Sequence, residues 1–292
     1  VVEMLVQKIT ALSTGLQTYL KTASCLGDAF DLKTLSLLAG EKMNTVAGEL
    51  STAVNMGYLI SMDENLDAFF RVATFAEDEE INKFPNTRFR FSHDRVRQAS
   101  LSQISTSELS ELNLNAARIK TKYLSEQETE EDLFYIANHF IAGETLIKDV
   151  AENMQLATFA HRAGEKASHA SAYDAAINYF NAARRHLNFQ SNYQLLYDVY
   201  LMQAECYYLT GKYKEAETDL DILFNTSISR IDKLNTLFVK VYLLNIQDNK
   251  LPAIEAARKG YGLFNIYMPR SKPMTMFLIL KDLLYTKDGF IT

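Results

Sequence analysis

The run Ser92-His93-Asp94-Arg95-Val96-Arg97 holds the residue types most able to do chemistry in this sequence. It follows an alternating stretch, Arg88-Phe89-Arg90-Phe91, and precedes a helical pattern, which puts His93 at a strand-to-helix junction. At such a junction an imidazole can point out of the domain while the backbone N–H groups of the helix start attract an anion, phosphate above all. Asp94 is the expected helix cap, ordering His93. Arg95 and Arg97 could add positive charge beside a phosphate, although arginines on a helix are more often solvated. The competing reading of His93 is a capping or core residue without a ligand.

Other chemistry is hard to find. Gly211-Lys212 is followed by Tyr213, not by Ser or Thr, and lacks the upstream glycine, so it is no P-loop. No G-x-S-x-G, H-E-x-x-H or G-x-G-x-x-G is present. His161, His169 and His186 have no neighbouring cysteine or carboxylate at ligand spacing, which favours packing or surface roles over a metal. Glu130-Glu131-Asp132 reads as a solvated linker and not as a general acid with its base. The expectation is a chain with no catalytic site, no metal and no cofactor of its own.

Stepping outward from His93, the elements that would position it are short. Leu16, Leu20, Ala23 and Cys25 give one apolar helix face that Gly27 ends. Asp31 caps a second helix over 32–39, ended by Gly40, and Asn44 or Thr45 opens a third that runs to Gly57. Residues 58–60 read as a strand and 88–92 as its partner. Three helices and a two-stranded hairpin make a winged helix, with an insert between the strands. Residues 63–80 of that insert carry seven acids against Arg71 alone, which predicts a solvated, mobile tip.

From Asp94 onward only helices are indicated, over 94–101, 107–124 and 133–142, and then a repeat begins. Gly164, Ala176, Phe180 and Ala183 have the small and aromatic spacing of a tetratricopeptide-type helix pair, in which small residues let two helices approach closely. Gly211-Lys-Tyr-Lys-Glu-Ala216 repeats the turn, and Ala253 offers a third copy. The steps from Ala176 to Ala216 and from Ala216 to Ala253 are 40 and 37 residues, longer than the usual period of about 34. The fold expected is therefore mainly α, with a winged-helix-like domain over 1–105 followed by an α-helical linker and TPR-like repeat superhelix over 106–292. Met274 to Tyr285 reads as the first helix of a further pair. Stacked pairs curve, and Gln203, Tyr207 and Lys240 on first helices are the candidates for a partner groove.

Composition limits the partners. A 48% apolar, 23% charged chain of 292 residues with four prolines is an ordinary globular sequence. A net charge of −6 argues against a general nucleic-acid surface. Within the helix at 44–56, where a winged helix would read DNA, there is neither Lys nor Arg. The longest apolar run, 274–280, is far short of the roughly 20 residues that cross a bilayer. Cys25 and Cys206 match no metal or redox spacing and fit buried, reduced thiols in a cytoplasmic protein. The start, Val1-Val2-Glu3-Met4, reads as an internal cut in a longer protein.

Several stretches resemble a family. Residues 22–32 (Thr-Ala-Ser-Cys-Leu-Gly-Asp-Ala-Phe-Asp-Leu), 89–99 (Phe-Arg-Phe-Ser-His-Asp-Arg-Val-Arg-Gln-Ala), 136–143 (Ile-Ala-Asn-His-Phe-Ile-Ala-Gly), 163–176 and 262–269 resemble, in order, the AAA/STAND-type ATPase region of large multidomain signalling kinases. In that family a Ser/Thr-kinase-like domain precedes the ATPase, and a helical arm, a GAF domain and a histidine kinase follow. The resemblance implies the winged-helix end of the ATPase module plus the start of the repeat arm. It also implies a role: coupling partner or ligand binding on the arm to the nucleotide state, ADP or ATP, of the parent's ATPase core. Ser92-His93-Asp94 is similar to the Met-His-Asp signature whose histidine meets the β-phosphate of bound ADP, with Ser92 in place of the methionine. The acidic insert at 63–80 departs from the pattern. Protein partners and the parent's own core are expected, with no specific nucleic acid and no membrane insertion. The competing readings are a free-standing TPR-like interaction adaptor and, with less behind it, a winged-helix transcription regulator.

Overall fold

The computed structural model describes residues 2–62, 87–123 and 131–270, together with 273, 274 and 276. Most of the acidic insert and most of the helix expected at 274–285 lie outside the described residues. The chain is mainly helical: among the described residues there are thirteen α-helices and three short strands. It divides into two compact units, Val1–Ala163 and Gly164–Thr292, so the border expected at 105/106 falls inside the first.

The first unit opens with α1 (Val2–Thr10) and α2 (Thr14–Leu26), then β1 (Ala29–Asp31), α3 (Leu32–Ala39), α4 (Met43–Asn55), β2 (Leu59–Ser61), β3 (Arg88–Phe91) and α5 (Asp94–Leu101). Local signals set these limits. Ser13 accepts a hydrogen bond from Leu16 N at the start of α2, and Asp31 Oδ1 accepts one from Thr34 N at the start of α3. Gly40 ends α3 in the left-handed conformation, φ 68°, which a side chain would resist. α4 starts one residue before the expected Asn44, after Lys42, which makes no side-chain cap.

The sheet has three antiparallel strands in the order β1-β3-β2, where the sequence indicated two. Phe30 pairs with Phe89 on one side and Ser61 with Phe89 on the other. Alternation along β3 sends Phe89 and Phe91 inward and leaves Arg88 and Arg90 exposed. The rings of Phe30, Phe89 and Phe91 pack about 6 Å apart. They join Leu16, Leu20, Leu35, Val46 and Leu50 in one core. Each such side chain contributes roughly 1.5–3 kcal/mol by leaving water.

α6 (Thr106–Tyr123) and α7 (Leu133–Gly143) complete this unit with the start of α8 (Val150–His169). The close contact of α6 with α7 depends on Gly143, where a Cβ would lie 2.7 Å from Leu114 Cβ and 2.9 Å from Leu114 N.

The second unit contains the rest of α8, then α9 (Tyr173–Arg185), α10 (Tyr193–Leu209), α11 (Tyr213–Thr226), α12 (Arg230–Ile246) and α13 (Lys250–Gly262). Each of α9, α11 and α13 follows a tight turn with one left-handed residue: Ser171 (φ 60°), Gly211 (φ 77°) and Asp248 (φ 58°). Those residues are 40 and 37 positions apart, the same steps that separate Ala176, Ala216 and Ala253. All three alanines are buried. Gly164 allows close helix packing as its spacing predicts, since a Cβ there would meet the Phe180 ring at 2.6 Å. Among the described residues no helix is long and apolar enough to cross a membrane.

Candidate functional site

β3 delivers the chain to His93. Ser92 N donates to Tyr58 O, fixing the strand end, and His93 O accepts from Val96 N as the first bond of α5. His93 itself occupies the cap position in extended conformation, φ −146° and ψ 142°, with no side-chain cap bond. Its side chain is therefore exposed at the helix start. Asp94 stands one residue further on, at the first helical position, and so does not cap. It pairs instead with Gln98 and lies 3.9 Å from Arg97. Arg97 is half-buried, 3.4 Å from Asp28, while Arg95 is exposed. The Ser92 hydroxyl is buried with no hydrogen-bond partner among the described residues. The junction thus presents an outward imidazole and an exposed arginine at the start of α5, while the Ser92 hydroxyl is enclosed behind them. Arg97 is already held by carboxylates.

Close to the same sheet lies an ion triad, buried at Asp31 and open to water at Asp132, that sequence reasoning missed. Lys120 on α6 donates to Asp31 Oδ2 at 3.2 Å and to Asp132 Oδ2 at 3.0 Å, with its ammonium 5.4 Å from the Tyr135 ring. Burial alone would raise the Asp31 pKa, but the Lys120 charge and the Thr34 hydrogen bonds bring it below the ordinary carboxylate value. Asp31 therefore does two jobs, capping α3 and anchoring α6. On the adjoining α7, burial and then the Lys120 charge push His139 down to about 4, so it is neutral at physiological pH. Its Nδ1 lies 2.6 Å from Asn113 Oδ1.

In the second unit, the three groove candidates fall into two places. Gln203 is fully buried: its Oε1 accepts from Arg184 Nη1 at 2.7 Å and its Nε2 donates to Asn181 Oδ1 at 2.7 Å. Arg184 also bonds Asp219 at 3.1 Å and lies 3.8 Å from the Tyr200 ring. Burial raises the Asp219 carboxyl to about 6 and outweighs the attraction of Arg184. Gln203 is thus a support for this network, not an exposed contact. Tyr207 is half-buried and lines the open groove of about 950 Å³ above it, between α9 and α11.

Lys240 lies in a second groove of about 860 Å³, between α11 and α13, and donates to Asp221 Oδ1 at 2.6 Å. Gln203 and Lys240 are one repeat step apart, each eight residues before a left-handed turn residue. Among the described residues no group of three or more His, Cys, Asp or Glu side chains could hold a metal ion.

Comparison with known proteins gives one informative similarity. No family model matches the sequence. No solved structure matches it either. The chain is 24% identical over 263 residues to hybrid signal transduction histidine kinase G of Dictyostelium discoideum, a match that covers 76% of this chain. It spans 8% of that protein's length. Residue for residue the similarity is low but extended, and it relates this mainly helical chain, at a distance, to a signalling protein.

Proposed function

We propose that this chain is the regulatory and interaction segment of a STAND-type signal-transduction ATPase within a multidomain sensor kinase. In this reading α2, α3, α4 and the sheet are a winged helix, and the hairpins of the second unit are a TPR-like arm. The arm receives a protein partner or ligand, and the winged helix passes that event to the nucleotide state of an ATPase core elsewhere in the parent. What supports the reading most is the order of parts: a sheet-bearing helical unit and then helical hairpins, in a chain similar to a histidine kinase segment.

ADP or ATP would be held by the parent. His93 and the start of α5 fit a contact with one phosphate, because the exposed imidazole occupies the cap position of a helix whose first backbone N–H groups attract an anion. The segment itself would act through packing in the cytoplasm, without catalysis, nucleic acid or membrane insertion. The test is His93→Ala in the full-length protein, with ADP retention and basal signalling measured. Faster ADP loss with raised basal output is the expected result. Unchanged values in a normally folded variant would sink the assignment.

A second reading, a free-standing adaptor, draws on the apolar residues exposed along α12 and α13, such as Ile231, Phe238, Tyr242 and Leu251. A P-loop in the parent sequence separates the two.

A further inference from the structure

The candidates above lie on the side of α10 and α12 that faces the second helices of the hairpins. The opposite side carries a different surface. Between the end of α10 and the middle of α12 lies a cleft of about 360 Å³. Its floor is Tyr208, Val239 and Leu243, all buried in the core they share. Its walls are Leu209, Phe238 and Tyr242, which are 53%, 72% and 58% exposed. That much bare aromatic and aliphatic surface around one depression is unusual for a face that meets only water.

Glu205 is the charged residue in this lining. One helical turn before Tyr208 and Leu209, it projects beside the aromatic walls from α10. It makes no hydrogen bond or ion pair with any described residue, and burial is the sole cause that raises its carboxyl pKa. Glu205 is exposed, so its carboxylate stands solvated at the rim of an apolar depression with no cation beside it among the described residues, the charge complement of a cationic side chain that crosses the cleft. The aromatic faces carry the negative end of their quadrupole, so they add to the attraction for a cation and repel an anion. A long cationic side chain satisfies both parts, laying its methylenes on Leu209 and Phe238 and its charged head against Glu205.

We propose that this cleft takes a lysine side chain presented by an apolar segment of a partner protein. The inference rests on reading the second unit as an interaction arm, and it names the chemistry the arm selects. Gln203, Tyr207 and Lys240 have no part in it.

The test uses the full chain and three fluorescent synthetic helical peptides that share a leucine stripe and differ at one central position: lysine, norleucine or glutamate. The lysine peptide should bind saturably, the norleucine peptide about threefold more weakly and the glutamate peptide about tenfold more weakly. Glu205→Gln should weaken the lysine peptide about threefold and leave the norleucine peptide unchanged, while Phe238→Ala weakens both. Circular dichroism and thermal melts check that each variant is folded.

Equal binding of lysine and norleucine peptides would overturn cation selection while leaving an apolar docking arm in place. So would insensitivity to Glu205→Gln. Failure of all three peptides to bind, or a Glu205-dependent self-association that occupies the cleft, would overturn the proposal outright. None of these outcomes bears on ADP retention in the His93→Ala variant, which tests the switch itself.

Discussion

At the scale of single residues, Asp31 and Lys120 show what a sequence reveals and what it conceals. The cap was legible, because an aspartate ahead of an apolar helical run has one common use. The ion pair was not, since Lys120 lies far along the chain and no local pattern connects the two. Lys120→Met removes the partner of a buried carboxylate and should cost about 3 kcal/mol in a denaturant melt. The pH dependence gives an independent check. In the natural chain Asp31 titrates below its unfolded value, so its stabilisation is present above that value and is lost as pH falls through the folded one. In the variant the Lys120 charge is gone and only the Thr34 hydrogen bonds oppose burial, so the carboxyl pKa rises, and the deficit should be largest at neutral pH and shrink on acidification. A deficit that is constant with pH would argue against the triad. Gln203 teaches the converse. Its helix, α10, carries apolar residues on nearly every side, so helical phase could not tell an exposed amide from a buried one.

Among elements, long helices with strong punctuation were readable and short strands were not. Gly27, Gly40 and Gly57 marked real ends, each with positive φ. β1 escaped because three residues hold no period-two signal, and its pairing with β3 depends on contacts nearly sixty positions away. The hairpin spacing survived because it rests on close approach, which only small residues permit. Two glycines separate the kinds of closeness. At Gly143 a new methyl would strike the backbone of α6, at Leu114 N and Ser110 O, both 2.9 Å away. At Gly164 it would strike only the Phe180 ring. Each alanine variant should lose about 1–3 kcal/mol, with Gly143→Ala the worse. Adding Phe180→Leu should return part of the loss for Gly164→Ala, as residues in contact are not additive. A Leu114→Ala change should not rescue Gly143→Ala, because the backbone clash stays.

For the whole molecule, the two units answer acid in opposite ways. His139 in the first unit titrates at about 4, below its unfolded value of 6.5, because burial and Lys120 oppose its charge. The unfolded chain therefore takes up that proton first, and the first unit should lose about 2 kcal/mol between about pH 7 and about pH 5. Asp219 in the second unit titrates at about 6, above its unfolded value of 3.8, through burial. There the folded form takes the proton first, and the second unit should gain about 1 kcal/mol over the same interval. Glu205 shifts in the same direction as Asp219. Amide exchange measured at both pH values should show protection falling in α7 and rising in α11. His139→Gln and Asp219→Asn should each flatten its own unit's response. Parallel shifts in both units would refute the assignment.

The left-handed turns bear on how the second unit would behave under load. The turn between α10 and α11 places glycine in a conformation it tolerates freely, whereas the turn between α12 and α13 forces Asp248 into it, at a cost of roughly 1 kcal/mol. Among the described residues, six buried side chains share the core behind the first turn, Ala204 and Leu220 among them, whereas four do behind the second, Leu237, Leu244, Ala253 and Ala256. In a stack where each hairpin leans on its neighbours, strain and thin packing at one joint make that joint the first to part. A chain stretched between two handles should lengthen in steps, with the α12–α13 hairpin yielding at the lower force, and Asp248→Gly should move that step upward.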